Sequence, residues 1–324
     1  MGKRFLQSIS SEFQTLTASA DIQPVDLPVN PISHLILKVQ GTQTTRATAG
    51  LYSYLHDFCA AFSDISVRHR GETVLQGSLA DLHMLTAFLT GYFPFGTKPD
   101  GDVGKIRSMA FLLPFGRKPF WEEEAFPATT RGNLRFHATA GALPASFSAV
   151  SWSLETVELI EADPKRHIKA TTITHTPSAT GFRRIQLPIG NDILGVQLAD
   201  PTVVTGDPAA YNPSRIMLLK DNVQQYFTEV DWESLMVSFG IRGAIPMQLG
   251  GHIHFAGQAV AAEVEENEQN KSEVPMGYAY LDFDPRRDGY YALETKGAAT
   301  LDLNVSMDTG SGTSRIMPVE LVTS

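Results

Sequence analysis

Apolar and polar residues alternate with a period of two in short runs along much of the chain, and this pattern restricts the fold more than any other feature. Leu301, Leu303, Val305 and Met307 alternate with Asp302, Asn304, Ser306 and Asp308. Leu134, Phe136 and Ala138 alternate with Arg135, His137 and Thr139, and Leu35, Leu37 and Val39 form a third run that ends at Gly41-Thr42. Successive side chains of a strand point to opposite faces, so each run reads as a strand with one face in a core. Residues 109–115, 152–160, 278–283 and 319–322 read as further strands, the second ending at Asp163-Pro164 and the third at Asp284-Pro285. The 26 glycines and 19 prolines are spread widely, which makes turns frequent. Many short strands with few short helices imply antiparallel sandwiches in place of βαβ units.

One stretch, residues 65–89, contains a complete unit. Ile65, Val67 and His69 alternate with Ser66, Arg68 and Arg70, Gly71 permits a tight turn, and Thr73, Val74 and Leu75 suit a returning strand. Ser78 then caps a helix with Asp81 three residues on, Leu82, Leu85 and Leu89 recur at helical spacing, and Gly91 stops it. A similar unit begins at Arg215: a β-rich run, a turn at Asp221-Asn222, a second run through Tyr226, Phe227 and Val230, and Asp231 as cap of a helix carrying Leu235 and Met236. Val319-Glu320-Leu321-Val322 also echoes Val157-Glu158-Leu159-Ile160. The chain thus reads as a duplication of two domains.

The 324 residues suit two domains of about 150 residues each, large enough to bury their own cores. About eight strands per half fit a jelly roll, in which two sheets bury their inner faces against each other. The expected fold is all-β: two consecutive jelly-roll sandwiches with a few short helices. The expected division is an arm and linker at 1–32, a first jelly roll at 33–165 and a second at 166–324, with the boundary zone between Glu161 and Thr180 and strands resuming at Phe182.

Within the arm, Phe5, Ile9, Phe13 and Leu16 fall on one face of a helix over residues 1–20, preceded by Lys3 and Arg4. Two uses fit it, an arm that binds lipid or a neighbouring subunit, and a terminal helix that covers its own core. Residues 21–31, with three prolines, read as an extended linker. Leu51, Leu55, Phe58 and Phe62 mark a short amphipathic helix, residues 91–104 a loop, and residues 118–131 an irregular segment anchored by Phe120, Trp121 and Phe126. Residues 250–255 read as a strand, 263–273 as an acidic loop, and Gly310 as the start of a turn.

Composition and motifs narrow the function by exclusion. A net charge of −9 without a Lys/Arg cluster argues against a phosphate-binding stripe. The single cysteine, Cys59, rules out an intrachain disulfide and a cysteine-built zinc site, and its place beside an apolar stripe suits a small buried hydrophobe. There is no run of 18 apolar residues and no export signal, so the cytoplasm is the expected site of folding. No Gly-x-Ser-x-Gly elbow is present. The run from Gly91 to Lys98 has Gly-Thr-Lys in place of Gly-Lys-Thr and a proline at 94, which removes it as a phosphate loop.

His252 and His254 lie two apart on the expected strand and face one side, but no third metal ligand stands at a suitable spacing, and a solvent or subunit face is the commoner role. Asp81 and His83 do not face each other on a helix, which leaves Asp81 as the cap. Glu122, Glu123 and Glu124 read as solvated loop carboxylates, with no second acidic cluster as partner. Asn270-Lys-Ser272 and Asn304-Val-Ser306 match the glycosylation sequon, which means little without export. Trp121, Trp152 and Trp232 could flank a sugar groove, yet Trp152 on a strand and Trp232 beside a cap suit core packing. No catalytic, cofactor-binding or metal residue is therefore assigned, no cofactor is expected, and the chain does not read as an enzyme.

Leu35-Ile-Leu-Lys-Val-Gln-Gly-Thr, then Phe62-Ser-Asp-Ile-Ser-Val-Arg-His-Arg-Gly-Glu-Thr-Val-Leu, then Ala80-Asp-Leu resemble the opening of double jelly-roll major capsid proteins of tailless icosahedral viruses with an internal membrane, the tectivirus, corticovirus and adenovirus-hexon lineage, in its small bacteriophage branch. Leu113-Pro-Phe-Gly-Arg, Phe126-Pro-Ala and Gly132-Asn-Leu extend the likeness, which covers most of residues 33–160 and more weakly 182–322. The resemblance implies a homotrimer whose six jelly rolls make a pseudo-hexagonal capsomer in the virion shell. Its implied partners are its own copies, neighbouring capsomers, minor capsid and penton proteins, and the internal membrane through the N-terminal arm, with no direct nucleic-acid contact. The competing readings are a two-sandwich carbohydrate-binding protein and a virion spike or adhesin.

Overall fold

A computed structural model describes residues 4–44, 54–91, 95–96, 103–143, 147–176, 178–200, 213–231, 234–235, 278–307 and 312–324. The first half contains β1 (Arg4–Thr15), β2 (Val25–Asp26), β3 (Ile32–Gln43), α1 (Tyr54–Cys59), β4 (Phe62–His69), β5 (Glu72–Gly77), α2 (Leu79–Thr90), β6 (Phe95–Gly96), β7 (Ile106–Pro114), β8 (Leu134–Ala140) and β9 (Phe147–Ile160). The second contains β10 (Arg166–Thr171), β11 (Ile173–His175), β12 (Gly181–Gln186), β13 (Asp192–Ala199), β14 (Pro213–Lys220), β15 (Val223–Gln224), β16 (Val230–Asp231), β17 (Tyr278–Asp282), β18 (Leu301–Met307) and β19 (Ser314–Thr323).

Both halves are wound alike. Leaving aside the short β6, β11 and β16, each half supplies eight strands in chain order among the described residues. One sheet takes the first, eighth, third and sixth, as β1-β9-β3-β7 and as β10-β19-β13-β17. The facing sheet takes the second, seventh, fourth and fifth, as β2-β8-β4-β5 and as β12-β18-β14-β15. This double-sheet winding is the jelly roll. The rolls are fused: β5, in fifth place in the first, pairs in parallel with β10, in first place in the second, through Leu75↔Ala170 and Gln76↔Thr171. One nine-stranded sheet therefore runs through both halves.

The two hairpins recognised in the sequence occupy the same places. β4 and β5 turn at Arg70 and Gly71, and β14 and β15 turn at Asp221 and Asn222; all four residues have positive φ. Such turns match the right-handed twist of the strands they join. The capping box at Ser78 and Asp81 forms, and Gly91 ends α2 in the left-handed conformation.

Two apolar cores result. The first gathers Phe62, Phe136 and Trp152 with Leu82, Leu85 and Leu89 of α2, and also Ile168, Ala170, Tyr278, Tyr280, Val319 and Leu321 from the second half. The second is built on Ile193, Val196, Leu281, Phe283, Leu301, Leu303 and Val305. Neighbouring residues of β13, β17 and β19 enter different cores, so their sheet is covered on both faces and α2 lies where the halves meet. Each large apolar side chain buried there contributes about 1.5–3 kcal/mol.

Several expectations are corrected. Residues 4–15 of the expected helix are a strand, β1, which pairs antiparallel with β9 from Arg4↔Ile160 to Thr15↔Ser151, and residues 16–20 turn away from it. A spacing of four satisfies a period of two as well as one of 3.6, so Phe5, Ile9 and Phe13 could not distinguish the two. Residues 21–31 are extended but attached, with β2 on β8 and Leu27 buried. Residues 161–180 carry β10 and β11, ahead of the expected restart at Phe182. β3 continues past Gly41 to Gln43, and Phe62 opens β4 instead of closing a helix. Phe120 is exposed, with its ring edge-on to buried His34, whereas Phe126 is buried. Asp231 lies in β16, against Arg215. The expected strand at 250–255, the acidic loop at 263–273, the turn at Gly310, Lys3, Met236 and Trp232 lie outside the described residues.

Candidate functional site at the join of the two halves

Two buried charge networks cross the join. The first begins in the irregular segment after β7, which is bonded to strands on both sides: Phe115 N–H donates to the Ser33 carbonyl, Ile168 N–H to the Phe115 carbonyl, and Ala125 N–H to the Arg166 carbonyl. Gly116 permits this close course, since a Cβ there would lie 2.1 Å from the Glu124 carbonyl oxygen. The next residue, Arg117, is buried. Its Nε donates to Glu124 Oε2 at 2.9 Å, its Nη2 pairs with Glu124 Oε1, and its Nη1 reaches Asp284 Oδ2 at 2.6 Å, just past β17. Arg166 Nη2 stands 3.5 Å from the same Glu124 oxygen. Asp284 also accepts from Gly289 N–H at 2.7 Å. Burial works against the charge on Arg117, but its hydrogen bonds to Glu124 and Asp284 outweigh burial and hold the guanidinium protonated.

The second network starts at the cap of α2. Asp81 is buried and exchanges hydrogen bonds with Ser78, each at 3.2 Å. Its carboxylate also receives Arg315 Nε and Nη2, each at 3.0 Å, and Tyr278 OH at 2.6 Å. Gln197 Nε2 donates to the Asp81 carbonyl at 3.0 Å. Burial and the neighbouring carboxylate push the Tyr278 hydroxyl well above its ordinary range, so it stays a donor. Apart from the cap residue Ser78, these donors to Asp81 come from the second half.

The sequence reading took Asp81 as a cap and Glu124 as a solvated acid. Asp81 is a cap and an ion-pair partner as well, and Glu124 is buried, although Glu123 is exposed. Arg315, Tyr278 and Asp284 went unnoticed because their partners are remote in sequence, and Arg117 because its nearer partner Glu124 read as solvated. One local signal existed: Asp81 is the only Asp, Glu, Lys or Arg in α2, and a lone carboxylate on an otherwise apolar helix calls for a partner.

Other residues singled out in the sequence lie apart. Cys59 is buried, and burial with the nearby Asp81 charge pushes its thiol up, away from thiolate chemistry. His83 is buried edge-on to Phe111, with ring centres 5.9 Å apart. Trp152 is in the core and Trp121 is half-buried near Arg117 and Lys118. Asn304 and Ser306 lie on β18 between β12 and β14, while Asn270, Ser272, His252 and His254 are outside the described residues. Gly91 is a helix cap, and the rest of the 91–98 run is described only at Phe95 and Gly96. Among the described residues no three His, Cys, Asp or Glu side chains are grouped to hold a metal ion, and no helix is long and apolar enough to cross a membrane. The buried networks thus fix orientation: each charge meets an opposite one across or beside the join.

No sequence family and no curated protein matches the chain. Solved structures do. The major capsid protein of Bacteriophage PM2 superimposes with a TM-score of 0.61 over 99% of this chain and 98% of that one, at 11% identity. The STIV capsid protein, from Sulfolobus Turreted Icosahedral Virus, gives a TM-score of 0.66 over 99% and 97%, at 14% identity. The PBCV-1 virus capsid gives 0.59 over 99% and 94%, at 9% identity. The fold is a double jelly roll.

The apolar side chains that this double jelly roll leaves bare include two groups at sheet ends. Phe5, Leu6, Ile9 and Phe13 project from β1, with Phe120 edge-on to Phe5 at 5.2 Å. Beside β1 a groove of about 400 Å³ is lined by Ser8, Ile9, Asp26, Val29, Arg131 and Glu158. In the second roll, Val223 and Tyr226 are exposed along the β15 hairpin, with Tyr290 and Tyr291 nearby.

Proposed function

We propose that the chain is the structural subunit of an icosahedral virus shell, assembling as a homotrimer whose six jelly rolls form a pseudo-hexagonal capsomer. The observation that carries this reading is the fusion of two identically wound rolls through one continuous sheet, held by two buried charge networks. A building block with two equivalent halves converts threefold symmetry into a near-sixfold outline that tiles a surface. The capsid proteins named above share this architecture over nearly their whole length. The role is assembly, not catalysis, and the site of action is the virion shell after folding in the host cytoplasm.

The reading extends to units of 33–165 and 166–324 as the two rolls, to minor capsid and penton proteins as partners, and to a lipid layer under the shell. The net charge of −9 suits a shell that does not touch the genome directly. Light scattering of the purified protein tests the reading: a particle of three chain masses that forms hexagonal arrays in negative stain supports it, and a monomer at high concentration overturns it. A second reading, a glycan-binding spike, draws on the exposed Tyr290 and Tyr291, whose rings meet at 4.8 Å. Binding of a neutral oligosaccharide that is lost in Tyr290→Ala would favour it.

A further inference from the structure

We infer that His69, Phe126 and His167 form an acid-sensitive latch across the seam between the two rolls, closed while both imidazoles are neutral and released when they take up protons. Every contact in the latch lies inside one chain, so it does not depend on the trimer.

The geometry brings two titratable rings from different rolls onto one apolar ring. His69 ends β4 in the first roll, and His167 lies on β10 at the start of the second; both are half-buried. Each meets buried Phe126 edge-on, with ring centres 5.5 Å and 4.9 Å away at interplanar angles of 78° and 68°. Phe126 cannot easily yield, because its backbone exchanges two hydrogen bonds with Ile32 of β3. Beside the latch, β10 is bonded to the first roll through Ala125 N–H to the Arg166 carbonyl, Ile168 N–H to the Phe115 carbonyl and Thr172 N–H to the Gln76 carbonyl. A strand held to its neighbour by such a short run of bonds can part from it without unfolding either roll.

The surroundings disfavour charge on both rings. His69 faces Glu72 across its hairpin, has Arg70 beside it and stands opposite Leu134 of β8. His167 stands opposite Val322 of β19, with the Ser324 hydroxyl 3.3 Å from Nδ1, and its neighbour Arg166 turns to Glu124, 3.5 Å away. Burial and Arg70 oppose a charge on His69 and outweigh Glu72; burial, His69 and Lys169 oppose one on His167. Two imidazolium ions would set like charges against one phenyl ring. Parting β10 from Phe126 returns both imidazoles to water and to their ordinary affinity for protons, so the open seam binds more protons than the closed one and acid favours it. With His167 at about 4 when closed and 6.5 when open, this residue alone raises the open fraction about 30-fold between about pH 7.5 and about pH 5.

Deuterium exchange of the full chain, each rate divided by its intrinsic value at that pH, tests the latch. Over that interval the seam amides of Ala125, Ile168 and Thr172 should lose protection by about 30-fold or more, while Leu27 and Leu187, bonded within their own rolls to Leu134 and Leu301, keep theirs. Equal loss at all five amides, or none at the seam, would overturn the inference. His69→Gln with His167→Gln should abolish the acid-dependent loss, and an undiminished loss would count against both rings. Exchange at the imidazole C2–H, read by mass spectrometry, needs no double variant: His167 should titrate below its ordinary 6.5, and His69→Gln alone should raise it. A His167 that titrates at its ordinary value, or that is unmoved by His69→Gln, would show that the two rings do not act together.

Discussion

The two charge networks at the join do similar work with unequal exposure. Arg117 is enclosed, its side chain 2% exposed and divided between two carboxylates, whereas Arg315 keeps 30% of its side chain in contact with solvent and serves one. An enclosed charge depends wholly on its partners, because water cannot replace them; a half-open one is partly insured by solvent. The cost of breaking each network should follow that difference, not the number of hydrogen bonds.

The largest effect is expected from Arg117→Met, which strands Glu124 and Asp284 in the interior. It should lower unfolding free energy by about 3–5 kcal/mol in urea titration. Adding Glu124→Gln and Asp284→Asn should recover part of that loss, and no recovery would mean that the guanidinium acts through packing alone. Arg315→Met leaves Asp81 its Ser78 and Tyr278 donors, so a smaller loss of about 1–3 kcal/mol is expected. A loss equal to that of Arg117→Met would contradict the ranking by exposure.

Acid should reach the molecule first through its histidines. Burial lowers His34 to about 4, and burial together with the charges of His69 and Lys169 lowers His167 to about 4. Both folded values lie below the unfolded value of 6.5, so the folded state holds fewer protons between these limits. Stability is full above pH 6.5 and falls as pH drops to 4; His167→Gln should reduce the slope of unfolding free energy in this window by about one proton. The smallest effect belongs to a surface pair: Asp26→Ala, which removes the half-exposed contact with Arg135, should change stability by less than about 1 kcal/mol.

The readable parts of the fold were the locally encoded ones. Arg70-Gly71 and Asp221-Asn222 announce turns through their own backbone preferences, Ser78 and Asp81 announce a helix start, and the alternation in β8 and β18 announces a buried face. β1 was misread because its identity depends on β9, about 150 residues away, while its apolar spacing satisfies both periods. The join was unreadable for the same reason: Arg117 and Asp284 are 167 residues apart, and Arg315 and Asp81 are 234 apart. Glu124 was misjudged because adjacent Glu123 is exposed; one residue along an irregular segment separates solvent from the interior.

The position of β19 has a consequence for synthesis. It leaves the ribosome long after β10 and β13, yet it lies between them inside the nine-stranded sheet. Until residues 314–323 emerge, β10 and β13 lack the strand that joins them, and Arg315 has not reached Asp81. The first roll must therefore wait with the face around α2 unfinished, a period of exposure in which nascent chains invite chaperone binding. Closure of the seam thus comes long after the strands it joins are made, and a ribosome that stalls shortly before β19 releases a chain with that seam open.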